Sequence, residues 1–192
     1  MRMKYHFLFL LILCIPVLCW AAHELGSDAT AAATDNVGAD NTIAMKYTFT
    51  GSTGDVLDSI VVYGYISGGG TETLTASLYD DNAGSPGTRL VTANASASGA
   101  SAAWHYIDMG ASQTLTNGVE YWVAVASNGG NWIAYYEGSA GAVMHYRFLN
   151  NPATWGTSDG SNDSRYAQYG VNIPGAGEEA PTRRRQLLIG GR

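Results

Sequence analysis

The chain has 192 residues, 14% of them charged, and a formal charge of −6. That length suits one folded domain after a leader is removed. Sixteen acidic residues against ten basic ones exclude nucleic-acid binding as a main role, because phosphate recognition needs clustered Lys and Arg.

Residues 1–21 read as a secretion signal. Arg2 and Lys4 give a basic start, residues 7–18 are apolar, and Cys19-Trp20-Ala21 sets small residues at the two cleavage positions. The apolar run is about 12 residues, short of the ~20 that cross a bilayer, so no stable membrane insertion is expected after its removal. Both cysteines, Cys14 and Cys19, leave with it, and the mature part carries no disulfide or thiol chemistry. Residues 22–192 keep eight basic and all sixteen acidic residues, a balance of −8. The expected location is secreted, extracellular or at the cell surface.

Residues 22–41 lack periodicity and read as a flexible lead-in. Period-2 alternation then begins. Residues 42–50 place Ile43, Met45, Tyr47 and Phe49 on one face. Residues 56–66 are apolar on both faces, which marks a central strand partly covered on its second side. The glycines at 68–70 interrupt the pattern, and residues 73–79 resume it with Leu74, Ala76 and Leu78 inward. Asp80-Asp81-Asn82-Ala83-Gly84-Ser85-Pro86-Gly87 reads as a tight polar loop, followed by a short strand at 88–92. Residues 93–103 are Ala- and Ser-rich and read as a flexible surface loop. Further strands are expected at 104–109, 119–127, 131–137, 142–148 and 166–173, with a polar loop at 150–164 carrying Trp155. No stretch has helical periodicity long enough to nucleate a helix. Eight or nine short strands joined by Gly-rich turns predict an all-β, two-sheet antiparallel sandwich of jelly-roll type over residues 42–174.

From residue 78 onward the motifs Leu78-Tyr79-Asp80-Asp81, Gly84-Ser85-Pro86-Gly87, Leu115-Thr116-Asn117-Gly118 and Tyr121-Trp122-Val123-Ala124-Val125 follow one another in order. In these the chain resembles the secreted bacterial and phage-associated jelly-roll module of the "choice-of-anchor" type, and more loosely carbohydrate-binding modules. The match covers residues 42–137. The resemblance implies a fold and a surface setting, and it brings no catalytic residues.

Two sets of side chains are candidates for ligand chemistry. Asp80, Asp81 and Asn82, with Asp159, Asn162 and Asp163, could offer hard oxygens to a structural calcium ion. The competing reading is turn chemistry, since Asp and Asn side chains bond nearby backbone; no cofactor is required. Trp155 reads as an exposed platform in a polar loop, and Trp132, Tyr135, Tyr136 and Tyr146 as rings lining one sheet face, the composition of a glycan site. An enzyme is not expected. His105 and His145 are isolated on strands, and Glu120 and Glu137, also on strands, suggest a carboxylate pair only against the commoner reading of salt-bridged or exposed strand acids.

Residues 175–192 form a linker and a basic, apolar tail. Arg183, Arg184 and Arg185 followed by Leu187, Leu188 and Ile189 would suit docking into a neighbouring molecule and self-assembly. The expectation is a secreted non-catalytic module that binds a glycan or cell-surface ligand. The alternative is a structural subunit of an extracellular fibre, matrix or phage-like appendage assembled through that tail.

Overall fold

A computed structural model describes residues 24–28, 33–39, 41–138, 141–166 and 168–173. The signal at 1–21 and the tail at 175–192, with Arg183 to Arg185 and Leu187 to Ile189, lie outside them. The described residues form strands and turns without a helix. The strands are β1 (Leu25–Ser27), β2 (Ala33–Val37), β3 (Thr42–Thr48), β4 (Val56–Ile66), β5 (Thr71–Asn82), β6 (Ser85–Ser98) and β7 (Ala103–Thr114). They continue with β8 (Glu120–Ser127), β9 (Trp132–Gly138), β10 (Met144–Arg147), β11 (Gly160–Asn162), β12 (Ser164–Tyr166) and β13 (Gln168–Ile173). The result is the expected all-β pair of antiparallel sheets, with thirteen strands rather than eight or nine.

One sheet runs β11-β10-β3-β8-β5-β6. The other has seven strands and a fork. Along one edge of β4, β7 pairs throughout residues 56–64. Along the other edge, β9 pairs only at Gly64 to Ile66, and β13 takes over from Val62 down to Val56. β9 is divided in the same way: β2 holds one edge, while β4 and then β12 share the other. The chain therefore enters the gap along β9 as β12 and leaves it along β4 as β13. Gln168, just past the crossing, is 1% exposed, and its amide donates to the carbonyl of Val123 in the opposite sheet at 2.7 Å. This bond ties the fork to the facing layer.

Alternation decides which residues meet between the layers. Ile60, Val62 and Ile66 from β4, Ile107 from β7 and Trp132 from β9 face Met45, Leu74, Leu78, Val123 and Val125 from the second sheet. Two stretches depart from expectation. Residues 93–103 are not a flexible loop: β6 continues to Ser98, paired along its length with β5. Ala93, Ala95 and Ala97 turn inward and Thr92, Asn94 and Ser96 outward, a strand pattern written in small residues. The stretch 22–41, expected to be a flexible lead-in, supplies β1 and β2, which anchor the fully buried Leu25 and Val37.

The hairpin between β5 and β6 turns two residues earlier than the Gly-Ser-Pro-Gly run suggests. Asn82 pairs with Ser85, and Ala83 and Gly84 hold φ of 51° and 85°, as a two-residue hairpin turn of the I′ kind requires. Beyond it, residues 149–159 lie over the outer face of the six-stranded sheet. Trp155 is fully buried there, its ring edge-on to Tyr79 at 5.4 Å and its Nε1 donating to Ser158 Oγ at 2.9 Å. It joins Ala44, Tyr79, Trp122 and Ala124 in a second small core. Trp155 is a roof beam and not an exposed platform. Its polar flanks mask it in sequence, because the apolar surface it covers comes from strands far along the chain.

Removing that ring leaves a cavity over Tyr79 and Trp122. Trp155→Ala is expected to cost about 3–5 kcal/mol, read as a lower midpoint in urea unfolding. An unchanged midpoint would contradict the roof.

Candidate functional site

Asp80, Asp81 and Asp159 each accept from a backbone amide. Asp80 Oδ1 accepts from the amide of Thr88 at 2.5 Å, and a Cβ at Gly87 would overlap that carboxylate. Asp81 Oδ2 accepts from the amide of Gly84 at 3.0 Å, and its Oδ1 from Trp122 Nε1 at 2.8 Å. Asn82 points to solvent. In the later loop, Asp159 accepts from the amide of Phe148 at 2.7 Å, Asn162 from the amide of Ser164 at 2.8 Å, and Asp163 is exposed. The two runs behave as turn and loop caps. Among the described residues no group of three or more His, Cys, Asp or Glu side chains could hold a metal.

The five aromatic candidates do not share a face. Trp132 is fully buried in the main core, edge-on to His105 at 5.2 Å. Tyr136 packs on that core beside Tyr166, with ring centroids 5.4 Å apart. Tyr146 belongs to the second sheet and meets Phe148 at 5.4 Å. Trp155 is under the roof. Only Tyr135 reaches the outer face of the seven-stranded sheet.

That face carries the site that sequence reading missed. With Ile60, Val62 and Ile66 inward, β4 must turn Val61, Tyr63 and Tyr65 outward, and the register sets Tyr106 opposite Val61 and Trp104 opposite Tyr63. β13 adds Tyr169, also opposite Val61, and β9 adds Tyr135 two residues beyond Ile133, the partner of Tyr65. The rings touch in succession across four strands. Tyr65 lies 6.3 Å from Tyr135, Tyr135 5.1 Å from Tyr63, Tyr63 4.9 Å from Trp104, and Trp104 5.3 Å from Tyr169. All are tilted to one another by 48° to 63°, so the belt is a corrugated surface and not a stack. Tyr106, at its end, is 64% exposed, while Tyr63, Tyr65, Trp104 and Tyr135 are half-buried. The hydroxyls of Tyr63, Tyr65 and Tyr135 make no hydrogen bond among the described residues. The signal for this belt lay in the double apolar character of residues 56–66, whose second face is covered by its own rings.

Burial first, then Tyr106 and Asp28 beside it, push the Tyr169 hydroxyl well above its ordinary range, so it stays protonated. Glu120 and Glu137 sit on different sheets, each in its own ion pair: Lys46 Nζ is 3.0 Å from Glu120, and Arg165 Nη1 is 3.6 Å from Glu137. They do not face one another across a cleft, as a glycosidase pair would. The buried carboxylate of Glu72 closes the turn between β8 and β9. It accepts from Ser127 Oγ at 2.5 Å and from both the backbone and side-chain amides of Asn131. The two strand histidines each have a polar neighbour. His105 faces the carbonyl of Gly64 at 3.3 Å, and His145 Nδ1 meets Ser158 Oγ at 2.7 Å beneath the roof, with Trp122 against its ring. Burial lowers both pKa values from 6.5, helped at His145 by Lys46 and opposed there by Asp81.

No family model matches this chain, and no curated protein matches it.

Because both histidines titrate lower in the fold than in the unfolded chain, the unfolded chain binds their protons first. Their contribution to stability is full above pH 6.5 and declines as pH falls below it. The urea midpoint is therefore expected to drop on acidification from pH 7 to pH 5.5, a range above ordinary carboxylate titration. The drop should be shallower in the double variant His105→Gln, His145→Gln. Parallel profiles for the two proteins would rule the histidines out.

Proposed function

We propose that the chain is a secreted, non-catalytic β-sandwich module that binds a glycan at a cell surface or in an extracellular matrix. The observation that carries this reading is the aromatic belt. A contiguous patch of partly exposed rings on a monomer marks an interaction surface. The chemistry of the rings favours a carbohydrate. Each offers a planar apolar face for the C–H face of a pyranose, while the tyrosine hydroxyls exchange hydrogen bonds with sugar hydroxyls. Thr34 stands opposite Tyr135 at the belt's edge, where its hydroxyl can reach the same ligand. A platform spread over four strands suits a chain and not a compact ligand. The N-terminal pattern supports secretion, and the ordered strand and turn motifs support the resemblance to surface-associated sandwich modules.

The test is glycan-array binding followed by affinity measurement on the best ligand. Trp104→Ala is expected to weaken binding at least tenfold, about 1.4 kcal/mol, while lowering the melting temperature by a few degrees at most. Tyr106→Ala is expected to weaken binding at a small thermal cost, because its ring is 64% exposed and only its contact with Tyr169 is lost. Failure of the wild-type protein to bind any arrayed glycan would sink the reading.

A further inference from the structure

The sandwich is closed on one side and open on the other. β6 and β7 follow one another in sequence and stay in contact where the two sheets meet. On the far side, β2 at the edge of one sheet and β10–β11 at the edge of the other stand apart, leaving a groove of about 270 Å³. Its floor is the main core itself: Val37, Ile43 and Met144, exposed by 0%, 4% and 3%.

The rim is chemically specific. Asp35 lends one carboxylate oxygen, Oδ2, to the hydroxyl of Tyr166 at 2.9 Å, and its Oδ1 has no partner among the described residues. Asn162 uses its carbonyl oxygen to cap Ser164, which leaves the NH₂ group to donate. The side-chain amide of Asn41 makes no hydrogen bond among the described residues. Phe148, 64% exposed and edge-on to Tyr146, forms a ring wall whose position is held by the bond from its amide to Asp159. One acceptor carboxylate, two donor amides and a ring face converge over an apolar floor, the pattern of a pre-formed small-ligand site.

We infer that this groove is a second binding site, for a single neutral sugar unit. The lining includes no Lys or Arg and does include the Asp35 carboxylate, so it offers no opposite charge to a phosphate or carboxylate ligand. Its volume lies just under the range for drug-sized ligands, which suits a monosaccharide. Carboxylate and amides address vicinal hydroxyls, and Phe148 covers the C–H face. The site shares no residue with the aromatic belt and stands whether or not the belt binds a polymer.

The experiment follows the side-chain amide signals of Asn41 and Asn162 by two-dimensional NMR, in the full chain as secreted. Glucose, galactose, mannose and N-acetylglucosamine are titrated separately at millimolar concentrations. At least one is expected to shift both amides saturably. Phe148→Ala is expected to abolish that response, Asp35→Asn to weaken it about tenfold, and Trp104→Ala to leave it unchanged. Phe148 is exposed, so its loss does not threaten the fold. The inference is overturned if no sugar moves the two amides, or if Phe148→Ala binds like wild type. It is also overturned if truncation after residue 181 shifts the same signals without sugar, since the groove would then hold the chain's own tail.

Discussion

Trp122 donates its indole N–H to Asp81 at 2.8 Å and packs with Trp155 under the loop of residues 149–159. Tyr79, beside it, donates to the carbonyl of Pro152 at 2.7 Å, Arg89 Nη1 donates to the carbonyl of Asn151 at 2.6 Å, and the backbones of Trp155 and Gly87 join at 2.9 Å. Burial pushes the Tyr79 hydroxyl up to about 12, so it remains a donor throughout the physiological range. A sheet whose outer face carries Trp and Tyr has to cover them or expose them. This sheet covers them, and the hydroxyl of Tyr79 and the indole N–H groups of Trp122 and Trp155 each find an acceptor there, as burial demands.

The seven-stranded sheet meets the same demand differently. Its outer face is equally aromatic, yet no described segment lies across Tyr63, Tyr65 and Tyr135. The rings shield one another instead and keep their hydroxyls toward water. The asymmetry between the two outer faces is the structural basis of the functional proposal. One aromatic face is sealed by a dedicated loop; the other is left as a platform. The fork between β4 and β9 contributes directly, because it admits β13 and so brings Tyr169 beneath Trp104.

Much of the fold was legible from alternation. Residues 56–66 match β4 at both ends, and the inward set Ile43, Met45 and Tyr47 packs as the period-2 pattern requires. The run 93–103 misled because alanine and serine differ too little in polarity to announce an alternation, although β6 obeys one. The split of residues 164–173 into β12 and β13 was invisible, since it depends on two distant strands diverging. The site was less legible than the fold. Burial of Trp155 and Trp132 depends on what lies across from them, and polarity of neighbouring residues says little about that. The paired aspartates looked like ligands because turn caps and calcium sites draw on the same residue types; only the positions of Gly84, Thr88 and Trp122 show which donors they serve.

The central claim is that the belt acts as one extended surface, and the length dependence of binding tests it most directly. Affinity would be measured for soluble oligomers of one glycan, lengthened one sugar at a time, against the wild-type chain. The account predicts that affinity climbs with each added sugar until the rings from Tyr65 to Tyr169 are covered, and then levels off. Equal affinity for the monomer and every longer oligomer would contradict it, because binding would then reside in a site one sugar wide.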